Sequence, residues 1–182
     1  MRRLFFVRHG ETHMNKAGIL SGRTETPLTD KGHQQAVKTG QDIKHNLPKI
    51  DLIICSPFER AYDTAKHIAE QIGYPVDKIQ KNNLFIERTF GILEATMAAD
   101  FFADHTYEDF DRVEGAETTK DLDIRAARAL KYLKSLKSYD NILIVGHGSF
   151  GRALRRAVNH LSHTHEYNGD QTIPNAAIVE LI

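Results

Sequence analysis

Three short apolar runs, Leu4–Val7, Leu52–Cys55 and Ile142–Val145, each end abruptly in a charged or glycine-bearing motif. The motifs are Arg8-His9-Gly10, Ser56-Pro57-Phe58-Glu59-Arg60 and Gly146-His147-Gly148. Hydrophobicity within each run is continuous rather than alternating, the habit of strands covered on both faces in a parallel sheet. A fourth run, Ala176–Leu181, is expected to close the chain as a strand. Between the runs the apolar positions recur at helical spacing. Ala61, Ala65, Ile68, Ala69 and Ile72 share one face of a helix that Gly73 can stop. Phe150, Ala153, Leu154, Ala157, Val158 and Leu161 mark a second helix, with Ser149 as its N-cap. Leu122, Ala126, Ala129, Leu130, Leu133 and Leu136 mark a third, and Thr29 with Gln34–Ile43 a less regular fourth. Strands alternating with helices predict an α/β fold, a three-layer α/β/α sandwich with a mostly parallel sheet. Without repeats, low-complexity tracts or linkers, residues 1–182 read as a single domain.

Residues 93–114 break this pattern. Asp100, Asp104, Glu108, Asp109, Asp111 and Glu114 face only Arg112 as a basic counterpart, with Phe101, Phe102, Tyr107 and Phe110 interleaved. Two readings stand: a solvated acidic helix and loop, or a small acidic lid inserted over a site.

Charge and cysteine content narrow the class of protein. Lys+Arg and Asp+Glu number 24 each, so the formal net charge is zero. A protein that holds nucleic acid through its bulk field would show a basic excess, so no nucleic-acid partner is expected and any anion site must be local. The single cysteine, Cys55, cannot form an internal disulfide, which suits a reducing, cytoplasmic setting. The basic start Met1-Arg2-Arg3 is followed by too short an apolar run for a signal peptide or a membrane span. A soluble chain beginning near Met1, with no membrane partner, is the expectation.

In open α/β sheets ligands bind outside the carboxyl ends of the strands. All three motifs sit there, which would bring Arg8, His9, Arg60 and His147 together from three separate places in the chain. Two arginines and two histidines make an anion site, and the planar fork of arginine matches phosphate oxygens bidentately.

With these residues in view, the sequence resembles the histidine phosphatases, the superfamily that includes cofactor-dependent phosphoglycerate mutases. Val7-Arg8-His9-Gly10-Glu11-Thr12 looks like its signature. The likeness continues, in the family's order, through Gly22-Arg23, Pro27–Gly32, Ser56–Ala61 with Thr64-Ala65, Leu84–Glu94, Gly115–Thr118 and Val145–Gly148. The resemblance implies a phosphoglycerate mutase-like fold with a short cap segment. It implies His9 as the nucleophile that accepts a phosphoryl group, Arg8, Arg60 and His147 as ligands of its oxygens, and Glu87 as the proton donor. Asn15, Arg23 and Thr29 would lie at the pocket rim and contact substrate. The chemistry asks for these residue types. Histidine attacks phosphorus only as neutral imidazole, and nearby guanidinium charges disfavour its protonation. Glu87 ends the apolar stretch Leu84-Phe85-Ile86, where burial would favour its protonated form. No metal or other cofactor is required. Glu94, seven residues on in the same stretch, and Glu11, near the pocket, are the other carboxylates that compete with Glu87.

Other signals in the chain compete with this reading. Gly146-His147-Gly148-Ser149-Phe150-Gly151 places G-x-G-x-x-G after a strand, as a dinucleotide fingerprint requires, but too little chain follows for a second nucleotide-binding half. Glu166 and Asp170 fall in a polar loop rather than at a strand end. Cys55 and Arg60 approach the cysteine-phosphatase loop with one residue too few between them, and Cys55 reads as a core residue. His160, His163 and His165 read as solvated groups after a helix rather than a metal tract, and His9 with His13 lacks a zinc enzyme's helical context.

Where many family members have Glu-Gly, this chain has Glu94-Ala95. If the glycine serves an unusual dihedral, Ala95 alters the approach to the lid. The lid is also shorter than in the glycolytic mutases, and acidic where a polyanionic substrate would want lysine. The expectation is therefore a phosphomonoesterase acting on a small phosphorylated metabolite through phospho-His9, and a homodimer is a common form for such a chain. A cofactor-dependent phosphoglycerate mutase and a phosphate-binding regulatory module without turnover are the alternatives.

Overall fold

The computed structural model describes residues 3–161 and 173–182. Its sheet is built from β1 (Arg3–Arg8), β2 (Leu52–Cys55), β3 (Gln80–Lys81), β4 (Asn141–Gly146) and β5 (Ile178–Glu180). The spatial order is β3-β2-β4-β1-β5. The pairs β1–β4, β2–β4 and β2–β3 are parallel, and β5 runs antiparallel to β1. All three continuous apolar runs are therefore strands at the middle of the sheet. The fourth run contributes only its centre, and the two-residue edge strand β3 carries no apolar signal because both its side chains are exposed.

The helices are α1 (His13–Ala17), α2 (Asp30–Asn46), α3 (Glu59–Ile72), α4 (Ala98–Phe102), α5 (Thr119–Ser135) and α6 (Gly148–Val158). Alternation along the buried strands divides the core in two. Leu4, Phe6, Leu52, Ile54, Ile142 and Ile144 pack with Leu122, Leu130, Phe150 and Leu154 of α5 and α6. Phe5, Val7, Ile53, Cys55, Leu143 and Val145 pack with Ile43, Ala61, Ala65 and Ile68 of α2 and α3. This is the expected three-layer sandwich, and it explains why the central runs lack polar positions: neither face of the sheet meets water.

Helix ends follow local chemistry. Thr29 caps α2, its hydroxyl accepting from the amide of Gly32, and Gly73 ends α3 in the left-handed conformation at φ 72°. Ser149 is not the cap of α6. That position falls to His147, and Ser149 lies inside the helix because its amide is taken by Glu87. The His163 and His165 part of the histidine tract, with Glu166 and Asp170, lies outside the described residues.

Residues 93–114 form α4 and a 3₁₀ stretch, Tyr107–Arg112, around a third apolar cluster of Leu20, Phe90, Phe101 and Phe110. Phe101 and Phe110 stack with centroids 4.3 Å apart. Asp100, Asp104, Glu108, Asp111 and Glu114 are exposed. The segment thus has a solvated acidic outer face and an aromatic inner one. Arg88, fully buried, pins it by donating to Asp111 at 2.7 Å.

Two backbone positions carry opposite tests. A Cβ on Gly32 would strike the carbonyl oxygen of Glu11, and one on Gly10 the carbonyl of Gly32, so the motif after β1 lies directly on the start of α2. Ala95 adopts φ 65°, a left-handed conformation that suits glycine better than alanine. We expect Gly32→Ala to lower unfolding free energy by about 1–3 kcal/mol through overpacking. Ala95→Gly should be neutral or stabilising by up to about 1 kcal/mol, relief of left-handed strain being partly offset by the freer unfolded chain. Urea midpoints of the two variants check both signs.

Candidate active site

The strand order sets β1, β4 and β2 side by side, so the residues that follow their carboxyl ends share one edge. His9 follows β1, His147 follows β4, and Ser56 and Arg60 follow β2. A cavity of about 270 Å³ opens at this edge. Its lining includes Arg8, His9, Asn15, Arg60, Glu87 and Arg152, with aromatic walls from Phe102, Tyr107 and Phe110 of the 93–114 segment. A larger groove of about 1110 Å³, lined by Leu47, Tyr74 and Tyr139 among others, contains none of these convergent groups.

His9 is 5% exposed. Its Nδ1 lies 2.8 Å from the carbonyl oxygen of Gly10. A carbonyl can only accept, so Nδ1 carries the proton and Nε2 keeps its lone pair. Burial, then the charges of Arg60 and Arg8, hold the His9 pKa well below the usual histidine value. The loop is fixed from both sides. The Gly10 amide donates to Thr64 Oγ1 at 3.0 Å, and Asn175 Nδ2 donates to the carbonyls of His9 and Gly10 and to Asn15 Oδ1.

Arg60 is 1% exposed, yet its guanidinium finds backbone oxygens rather than a close carboxylate. Nη1 donates to Thr24 O at 2.9 Å and Nη2 to Gly22 O at 2.6 Å; the carboxylate of Glu25 is more distant, at 3.8 Å. Arg8 Nη1 likewise donates to the carbonyl of Ile173 at 2.9 Å. His147 is fully buried and is not itself a lining residue of the cavity, but its ring stands edge-on to His9 with centroids 5.2 Å apart. Burial first, and then Arg60, lower its pKa well below the ordinary value.

Glu87 is 7% exposed. Its Oε1 accepts from the amides of Arg88 and Phe150 at 2.8 and 3.0 Å, and Oε2 from that of Ser149 at 3.1 Å. The carboxylate therefore occupies the N-terminus of α6, where amides and helix dipole solvate negative charge. The apolar stretch does bury Glu87, and three backbone N–H donors meet its carboxylate there. The same contacts fill the end of α6 that a dinucleotide pyrophosphate would need. Glu94 is turned away into the loops, accepting from Thr24, Thr89 and the amide of Arg23. Glu11 pairs with Lys31 at 2.9 Å.

Two rim expectations change. Arg23 is not among the cavity-lining residues; it donates to the backbone oxygen of Glu87 and pairs with Glu117, because its reach ends on the segment that carries Glu87. Thr29 is a helix cap, with its hydroxyl also donating to Glu11 Oε1 at 3.0 Å. Asn15 does line the cavity and completes a capping box on α1. Sequence reasoning missed Asn175 and Arg152. Asn175 lies in no motif. Arg152 continues the helical face begun at Gly148 and Ser149, the one signal that could have found it. Cys55 is buried, its thiol pushed up to about 12 by desolvation, as a core residue should be. Among the described residues no group of three or more His, Cys, Asp or Glu is placed to hold a metal ion, and no helix is long and apolar enough to cross a membrane.

The family model described as the Histidine phosphatase superfamily (branch 1) matches residues 4–182. The chain belongs to that superfamily. Within it, a 2,3-bisphosphoglycerate-dependent phosphoglycerate mutase of Bartonella quintana is 36% identical over 92 residues, 50% of this chain and 45% of the relative. That match thus spans less than half of the mutase's length. An adenosylcobalamin/alpha-ribazole phosphatase of Salmonella typhimurium is 33% identical over 80% of this chain and 73% of its own. A mutant phosphoserine phosphatase of Entamoeba histolytica, solved with phosphoserine, superposes with a TM-score of 0.82 at 25% identity, covering 99% of this chain and 90% of that one. These histidine phosphatase relatives include both hydrolases and mutases.

The two neutral, buried histidines predict two pH effects. Above about pH 5.5, kcat/KM for a phosphomonoester, corrected for substrate ionisation, should show no protonation step near the ordinary histidine value of about 6.5. Stability moves in the same window. The unfolded chain binds protons at His9 and His147 below about pH 6.5 while the folded protein resists them, so stability falls as pH drops through that value. Thermal denaturation between about pH 7 and 5.5 reads the second effect, and His9→Gln should flatten part of the slope.

Proposed function

We propose that this histidine phosphatase is a phosphomonoesterase that hydrolyses a small phosphorylated metabolite through a phosphohistidine at His9. The observation that carries the proposal is the state of His9: a neutral imidazole with its Nε2 lone pair available, in a cavity that also presents Arg8, Arg60 and Glu87. In the proposed reaction Nε2 attacks phosphorus in line. Arg8, Arg60 and His147 meet the charge on the equatorial oxygens. The Glu87 carboxyl, in the same cavity, supplies the proton that the leaving group needs. That proton passes to the leaving alkoxide as the P–O bond breaks. The resulting carboxylate then takes a proton from water, whose oxygen attacks phosphorus, breaks the P–N bond and releases inorganic phosphate.

The superfamily match supports the chemistry, and the phosphatases among its relatives support hydrolysis. A second reading, isomerisation of a phosphoglycerate, is favoured by the Bartonella mutase match. The shape of the 93–114 segment argues for the first: its outer face is acidic, and its inner face gives the cavity aromatic rings rather than lysines. We expect His9→Ala to abolish phosphate release from p-nitrophenyl phosphate and from a panel of sugar, nucleoside and amino-acid phosphates, with loss of acid-labile labelling by ³²P. Glu87→Gln should reduce kcat by about 10²–10⁴ and have less effect on substrates with good leaving groups. Net release of phosphate from 3-phosphoglycerate supports hydrolysis, and isomerisation in the presence of catalytic bisphosphoglycerate supports the mutase. Binding of phosphoesters with neither outcome would identify a non-catalytic module.

A further inference from the structure

The His147 imidazole has one hydrogen-bond contact among the described residues: Nε2 lies 2.8 Å from Ser56 Oγ. Its Nδ1 is buried with no hydrogen-bond partner. Ser56 is itself fully buried and held by its backbone, the amide donating to Val145 O at 3.0 Å. Its Oγ also accepts from the amide of Phe58 at 3.3 Å. Pro57, between them, fixes the turn that brings this amide back onto the hydroxyl.

These contacts distinguish the two neutral tautomers of His147. A serine hydroxyl has one hydrogen, and Oγ already receives the Phe58 N–H. If His147 Nε2 carried the imidazole proton, it too would donate to Oγ, leaving the hydroxyl hydrogen without an acceptor among the described residues. Nδ1 would then be a buried lone pair, repelled by any phosphoryl oxygen. If Nδ1 carries the proton, Ser56 donates to Nε2 and the Phe58 amide donates to Ser56. The single remaining donor is then Nδ1–H, on the ring that lies edge-on to His9. Leaving a buried donor unmade is costly, and an arriving phosphoryl group would satisfy it.

We propose that Ser56 is a positioning residue that fixes His147 in the Nδ1–H tautomer, so that His147 meets the phosphoryl group as a neutral hydrogen-bond donor. The donation to phosphate rests on the phosphoryl-transfer reading above; the tautomer does not. Burial and the charges of Arg60 and Arg8 keep the ring from solving the problem by protonation. The turn carries a further link. The Phe58 ring stands edge-on to His147 with centroids 5.6 Å apart and lies under the Arg60 guanidinium at 4.8 Å. One short segment after β2 therefore orients a histidine and an arginine of the site.

The test is long-range ¹H–¹⁵N correlation on histidine-labelled protein, with His147→Gln used to assign the resonance. In the wild type we expect His147 Nδ1 to be the protonated nitrogen and Nε2 the unprotonated one, and inorganic phosphate to shift the Nδ1 proton. Ser56→Ala should lose the tautomer preference and lower kcat on p-nitrophenyl phosphate by about 10–100-fold, the scale seen when groups that orient a ligating histidine are removed. KM should change little, and Ser56→Thr should restore both the tautomer and part of the rate. A wild-type His147 protonated at Nε2 overturns the proposal regardless of activity. An unmoved Nδ1 proton on phosphate addition, in protein that binds phosphate, overturns the donor role. The expected tautomer in a protein that hydrolyses no phosphomonoester would instead leave Ser56's role intact and sink the proposed activity. Should Ser56→Ala not fold, the wild-type spectrum and the Ser56→Thr rate still decide.

Discussion

The site depends on how its charges are buried. Around the cavity, guanidinium groups donate to backbone carbonyl oxygens: Arg60 to Gly22 and Thr24, and Arg8 to Ile173. A carbonyl dipole solvates a guanidinium without cancelling its charge, so the positive field survives burial at Arg60. A carboxylate in the same place would have neutralised it. Glu87 is held by the converse device, backbone amides at the start of α6. In each case loop backbone takes the place of water, and the loops are ordered by the side chains they solvate.

The neutral state of the histidines follows from the same constraint. Buried beside the guanidinium groups of Arg60 and Arg8, neither His9 nor His147 gains from a proton. Each is left to act through one chosen nitrogen, set by a neighbour: the Gly10 carbonyl for His9, the Ser56 hydroxyl for His147. Farther out, where charge is not needed, arginines are paired in the usual way. Arg88 meets Asp111 and Arg125 meets Glu117 at 2.7 and 2.6 Å, and these pairs tie the aromatic segment and α5 to the stretch that bears Glu87.

Much of this was legible in the residues. The continuous apolar runs are strands because a sheet covered on both faces tolerates no polar alternation, and their abrupt ends mark the edge where the cavity lies. Arg8, His9, Arg60 and His147 could be named because each sits in a motif at such an end, and Glu87 through the family resemblance. β3 left no trace, since two exposed residues paired at an edge need no apolar side chain. Arg23 and Thr29 were placed at the rim because they lie in recognisable motifs, yet motif membership does not say whether a side chain faces a ligand or another loop. Ala95 was legible as a departure, and its φ of 65° shows what the departure costs.

The sequence by itself determined the fold class, the edge of the sheet at which chemistry gathers and the residue types that gather there. Hydrophobic periodicity and strand-end motifs are local properties, and parallel strands must put their carboxyl ends on one side. Only the tertiary structure decided which partner each charged or polar atom would find. Asn175 reaches the His9 loop from 166 positions away in the chain, and Ser56 reaches His147 across 91. Hydrogen bonds of that separation leave no periodicity to read. They are selected by the close packing of loops above the sheet, where nearly all buried backbone groups find a partner.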